Sequence, residues 1–166
     1  MAVVTVKSAQ ITNRDASPRV LNNARIAGAA VQHLRDVVAI ANGDSATSKY
    51  ICFQIPSNAI PISVRINAPD IGTTTTFDIG LYRTTLDGGA VVDADFFTAA
   101  KIVNAGAIAK SESVQANIAT IANFNKPIWD LLTLTRDPQI YYDVVLTLVG
   151  AADGAGSVGV ELDFVK

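Results

Sequence analysis

The chain has 166 residues, of which 49% are hydrophobic and only 17% charged, with a formal net charge of −2. This composition fits one globular unit large enough to bury a core and excludes intrinsic disorder, while the near-neutral balance excludes a protein-wide field for nucleic acid. The single cysteine, Cys52, excludes an internal disulfide.

Charge is unevenly spread along the chain. Within residues 1–35, Lys7, Arg14, Arg19, Arg25 and Arg35 stand against one acid, Asp15, a balance of +4 that leaves −6 for the remainder. A basic N-terminal segment on an acidic body is the pattern of an interaction arm, and Lys7, Arg14, Arg19 and Arg25 are its candidate partner-binding residues. The same segment lacks regular patterning. Brief alternation from Val3 to Val6 gives way to TNRDASPR, where Asn13, Asp15, Ser17 and Pro18 all punctuate against a long element. Residues 1–30 therefore read as an extended arm with at most one short strand, and residues 31–166 as the folded domain. MAVVTVKSAQ lacks a basic region followed by an apolar one, and no apolar run reaches the ~20 residues of a membrane span. Synthesis in a cytoplasm and no membrane association are the expectations.

In ARIAGAAVQHLRDVVAIANGD, Ile26, Ala30, Leu34, Val37 and Ala41 lie near helical spacing, yet β-branched residues gather from Val31 to Ile40. A strand over about 31–41 is favoured. KYICFQI is a strand with Ile51, Phe53 and Ile55 on one face, closed by Pro56 and a PSNA turn. IPISVRINAP alternates Ile60, Ile62, Val64 and Ile66 against polar partners, and TTTTFDIGLYR does the same with Thr75, Phe77, Ile79 and Leu81. Residues 112–122 are read as a further strand. KPIWDLLTLTRDP (126–138) reads as a short helical or irregular turn anchored by Trp129. IYYDVVLTLVG and GSVGVELDFVK close the chain as two strands, with AADGA between them as hairpin-turn chemistry. About seven or eight short strands without a long helix specify an all-β antiparallel β-sandwich, jelly-roll-like.

The chemistry-bearing residues are few. His33 is the one histidine, and a lone histidine more often satisfies a hydrogen bond than it catalyses. GxSxG, P-loop, GxGxxG and HExxH patterns are all lacking, and one Cys with one His cannot build the usual four-ligand zinc site. Cys52, between Ile51 and Phe53, reads as a small buried hydrophobe. FDIGLYRTTLDGGAVVDADFF holds four aspartates, Asp78, Asp87, Asp93 and Asp95. A calcium loop needs oxygen ligands at alternate positions, and here the series stops after Asp93 and Asp95. Asp87 precedes Gly88-Gly89 as in a turn, and Asp78 faces away from Phe77 and Ile79. Two of these carboxylates would suffice for a glycosidase, but aromatic residues to stack a sugar make up only 7% of the chain. Asp93 and Asp95 are assigned to a rim or a subunit contact. The expectation is no enzyme, no catalytic residue, no metal and no cofactor.

The run NGDSATSKYICFQIPSNAIPISVRINAPDIGTTTTFDIGLYRTTLDGGAVVDADFF, with KPIWDLLTLTRDPQIYYDVVLTL after it, resembles a small structural protein of tailed bacteriophages. The likeness spans roughly 42–166. It carries the Asp-Ser-Ala-Thr-Ser lead, the Pro-Ser-Asn-Ala turn and the Asp-Ile-Gly-Leu-Tyr strand. What the resemblance implies is a capsid decoration, or cement, protein: a homotrimeric β-sandwich on the capsid exterior whose arm grips the major capsid protein. No nucleic acid and no small-molecule substrate are implied. Two alternatives stay open on sequence. One is another virion post, such as a head fibre base, head–tail adaptor or tail protein. The other is a carbohydrate- or receptor-binding sandwich module.

Overall fold

A computed structural model describes residues 6–72, 74–102, 108–113 and 116–166, with backbone alone for 100–102 and 108–113. Eight strands run in chain order: β1 (Gln32–Ile40), β2 (Lys49–Pro56), β3 (Ile60–Ala68), β4 (Thr76–Arg83), β5 (Val91–Ile102), β6 (Ile108–Ser113), β7 (Tyr141–Leu148) and β8 (Gly156–Val165). They form two antiparallel four-stranded sheets, β1-β8-β3-β6 and β2-β7-β4-β5. This order is that of an eight-stranded jelly roll with two Greek keys. The expected all-β, jelly-roll-like sandwich is the fold.

The core follows from period-two patterning. Phe77, Ile79 and Leu81 of β4, Tyr142, Val144, Leu146 and Leu148 of β7, and Val158, Val160, Leu162 and Phe164 of β8 all point between the sheets and are buried. The strand expected over 31–41 is β1. Elsewhere the alternation is broken by bulges. The β2–β7 register slips between Ile51 and Phe53, so Cys52 turns inward while Ile51 faces solvent. The β3–β8 register slips between Pro61 and Ser63, which turns Ile62 outward although Ile60 and Val64 remain buried. Two residues expected in the core are therefore on the surface.

Three further expectations are corrected. AADGA does not close a hairpin, because β7 and β8 lie in different sheets and the link crosses between them. Its Gly154 serves close approach instead, since a Cβ there would sit 2.6 Å from the Ile71 backbone. The strand expected over 112–122 lies earlier, as β6, and Ile121–Asn123 forms a 3₁₀ turn; residues 114–115 lie outside those described. The 126–138 segment holds one helical turn, α2 (Ile128–Leu131), anchored by the fully buried Ile128, with Trp129 only half-buried.

Residues 6–31 contribute no strand to either sheet, and they are not wholly extended. A helix, α1 (Ala9–Asp15), begins at Ser8, whose hydroxyl accepts from the Ile11 amide at 3.4 Å. Arg14 lies in its last turn, where the helix dipole favours a cation. The short strand expected near Val3–Val6 falls mainly on residues 1–5, outside those described. The segment after α1 folds back: Asn13 Nδ2 donates to Asn22 Oδ1 at 2.9 Å, and Arg25 Nη2 donates to the Asn58 carbonyl in the β2–β3 turn. This docks the arm at the end of the sandwich where β2 finishes and β3 begins.

Candidate interaction surface

At that arm end the same β2–β3 turn is also gripped by α2. The Ile128 amide donates to the Ala59 carbonyl at 2.9 Å and the Trp129 amide to the Ser57 carbonyl at 3.0 Å. With the arm on one side and the chain around 118–131 on the other, a groove of about 580 Å³ is left between them. Its floor is Ile60, Pro61 and Val165, its arm wall Ile26 and Val31, and its opposite wall Ile121 and Phe124. Those last two are 92% and 72% exposed. Arg25 is the one charged residue in the lining. Its Nε and Oδ1 of Asn58 are both buried, each without a hydrogen-bond partner among the described residues.

The four arm cations are not equivalent. Lys7 Nζ and Arg14 Nε both reach Asp15, at 2.9 and 2.8 Å, so one carboxylate serves two cations and is held below the usual range by them, Arg14 first. Arg19 is exposed and makes no ion pair among the described residues. Arg25 belongs to the groove. Lys7 and Arg14 are thus brought together, and Arg19 and Arg25 stand apart from them. Sequence reading missed the opposite wall, Ile121 and Phe124. Its one local signal is an aromatic residue set between asparagines in ANFN.

The rest of the chemistry-bearing residues hold structure. His33 Nδ1 lies 2.6 Å from Asp163 Oδ1, while Ser63 Oγ donates to Asp163 Oδ2 at 2.7 Å and Arg65 Nη2 at 2.8 Å. The carboxylate stands between hydroxyl and imidazole, so the serine proton is directed to the carboxylate and not to the imidazole. Burial raises the Asp163 carboxyl, but bonds from His33 and Ser63 and the Arg65 charge outweigh it and hold it low. Next along β8, Glu161 sits between Arg35 and Arg65 at 3.6 and 3.5 Å, in cross-strand register with both. Cys52 is buried, and burial pushes its thiol up to about 12, far from a reactive thiolate.

The four aspartates resolve separately. Asp87 lies in a 3₁₀ turn (Thr85–Asp87) that ends on Gly88 at φ +85°, and it pairs with Arg83 at 3.1 Å. Asp78 keeps to the polar side of β4, half-buried. Asp93 and Asp95 shoulder a large bulge in β5. Partners on β4 advance from Ile79 to Leu81 while those on β5 run from Thr98 to Asp93. The surplus residues bring both Phe96 and Phe97 into the core, rings 4.9 Å apart and edge to face. Gly80 admits the displaced strand, since a Cβ there would lie 2.2 Å from the Ala94 carbonyl oxygen. Desolvation, then the neighbouring Asp95, raises the Asp93 carboxyl. Among the described residues, no group of three or more His, Cys, Asp or Glu is placed to hold a metal.

Comparison with known proteins places this geometry. No family model matches the sequence, and no curated protein matches it either. Solved structures do share the fold. A chain in the structure titled "Cyanophage Pam1 capsid asymmetric unit" aligns with a TM-score of 0.54 at 17% identity, covering 84% of this chain and 86% of that one. A chain in "Capsid of Ralstonia phage GP4" aligns with a TM-score of 0.53 at 17% identity, over 82% of this chain and 84% of that one. The chain is similar in fold, over most of its length, to chains found in two phage capsids.

Proposed function

We propose that this chain is a non-enzymatic structural protein of a tailed-phage virion, a capsid decoration protein. In this reading a homotrimer sits on the outer surface of the head and bridges neighbouring major capsid protein subunits, with residues 1–30 as the gripping arm. The observation that carries the reading is the gathering of the arm, its exposed Arg19 and the exposed Leu21, Ile121 and Phe124 at one end of a jelly roll. The fold likeness to chains in two capsid structures supports it.

The physics of the role is simple. A protein that binds only the assembled shell shifts the equilibrium toward that shell. Several arms on one oligomer act multivalently, so each contact needs only modest affinity. The test adds the full-length protein to heads that lack it, counts bound copies, and measures the temperature at which DNA escapes. The expected result is a fixed ratio to major capsid subunits with later DNA release. Copies confined to a single vertex, with unchanged release, would point instead to a neck or fibre position.

A further inference from the structure

The turn between β4 and β5 presents Leu86 entirely to solvent, at 103% relative exposure. It is not a loose loop. Asp87, Gly88 and Gly89 amides donate to the carbonyls of Thr84, Thr85 and Thr84 at 2.8, 3.3 and 2.9 Å, and the Arg83 amide to Ala90 at 2.8 Å. Gly88 and Gly89, at φ +85° and +62°, supply the left-handed backbone that such a tight return needs. A hydrogen-bonded tip therefore holds one apolar side chain outward, already ordered for a contact. The residue after it is a carboxylate, Asp87, whose pairing with Arg83 joins two well-exposed groups and is easily exchanged.

The groove has the complementary chemistry. Its walls are mainly apolar, and its one charged residue, Arg25, is opposite in sign to Asp87. Tip and groove lie at the same end of the sandwich but belong to different sheets. The groove is floored by the start of β3 and the end of β8, from one sheet, and the tip joins β4 to β5, in the other. A knob and a socket at separate places on one chain suit a head-to-tail contact, which forms a ring when the rotation between copies closes.

We propose that the occupant of the groove is a second copy of this chain: Leu86 of one copy enters between Ile26, Ile62 and Phe124 of the next, and Asp87 meets Arg25. The inference rests on the oligomeric part of the reading above and is independent of shell binding. The experiment is sedimentation equilibrium on the full-length protein, with far-UV circular dichroism and melting as controls for folding. Wild type is expected to self-associate to a closed, finite species. Leu86→Asp, at a fully exposed site that does not support the core, weakens association about thirtyfold or more, as removal of an interface anchor does. Asp87→Arg, which sets like charge against Arg25 and leaves the groove intact, weakens it as well, and Asp87→Glu, which keeps the charge, retains it. The proposal is overturned by a monomeric wild type at the highest soluble concentration, by a Leu86→Asp variant that associates normally, or by an Asp87→Arg variant that associates normally. A wild-type monomer that still coats heads would sink this interface alone. An oligomer that obeys all the variants but ignores heads would sink only the capsid reading.

Discussion

The two ends of the sandwich differ in how they are finished. At the end away from the arm, the described residues of the links 41–48, 69–72 with 74–75, and 149–155 are tied together by hydrogen bonds. Gly43 donates to Ala152 at 2.8 Å, Ala152 to Asp44 at 2.9 Å and Thr47 to Leu148 at 2.8 Å. Asp153 accepts from the Thr74 amide and lies 2.9 Å from the buried Thr75 hydroxyl, and Tyr50 donates to Asp44 at 2.5 Å. At the arm end, Leu21, Leu86, Ile121 and Phe124 are largely exposed. Among the described residues, the links of one end are bonded to one another and the other end presents large apolar side chains to solvent. In the proposed reading, stability belongs to the first and binding to the second.

Substitutions test that division, with the largest effect at the closed end. Gly72 has φ +109°, and a Cβ there would lie 1.9 Å from the Asp153 carboxylate. Gly72→Ala combines backbone strain with loss of the Asp153 bonds and is expected to cost about 3 kcal/mol, read as a fall of roughly 10 °C in melting temperature. Thr75→Val keeps shape but deletes the hydroxyl that bridges Ile71 and Asp153. Chemical denaturation should show a loss of about 1–2 kcal/mol.

Toward the arm end the effects shrink and one changes sign. Asp93 has a carboxyl raised by desolvation and by Asp95, so its ionised form opposes folding. That cost is absent below the unfolded value near 3.8 and is fully present once pH has risen through the higher folded value. Asp93→Asn should therefore melt slightly higher than wild type at neutral pH, and the gain should vanish in acid. Phe124→Ala, at an exposed wall of the groove, should change monomer stability by no more than about 0.5 kcal/mol. A large loss there would mean that the groove wall belongs to the core.

Much of the fold was legible because one face each of β4, β7 and β8 keeps period two, with Phe77, Leu146 and Leu162 all where it puts them. What failed to show were departures from that period. The slips at Cys52 and beside Ile62 need the partner strand to define them, and the β5 bulge hides behind an ordinary-looking DADFF. Ser8 can cap α1 although TNRDASPR reads as turns, because a short capped helix ends before Pro18. The arm was visible as net charge, but Asp15 between Lys7 and Arg14 in space cancels part of it. The groove left almost no mark, since residues near 25 and near 121 meet only through the folded chain. Ligand chemistry that depends on such meetings has no local pattern to read.

The central claim, that the arm end carries the binding, is tested most directly by co-sedimentation with purified heads. Arg19 is exposed with no ion pair among the described residues, and Leu21 is 85% exposed, so Arg19→Glu with Leu21→Asp alters the arm without touching core or groove. A control, Ala46→Arg, places a comparable change on the exposed surface of the closed end. The account predicts that wild type and the control saturate the heads alike, while the arm variant, still folded and still oligomeric, is largely lost from the pellet. Equal binding by the arm variant, or loss of binding by the control, would contradict it.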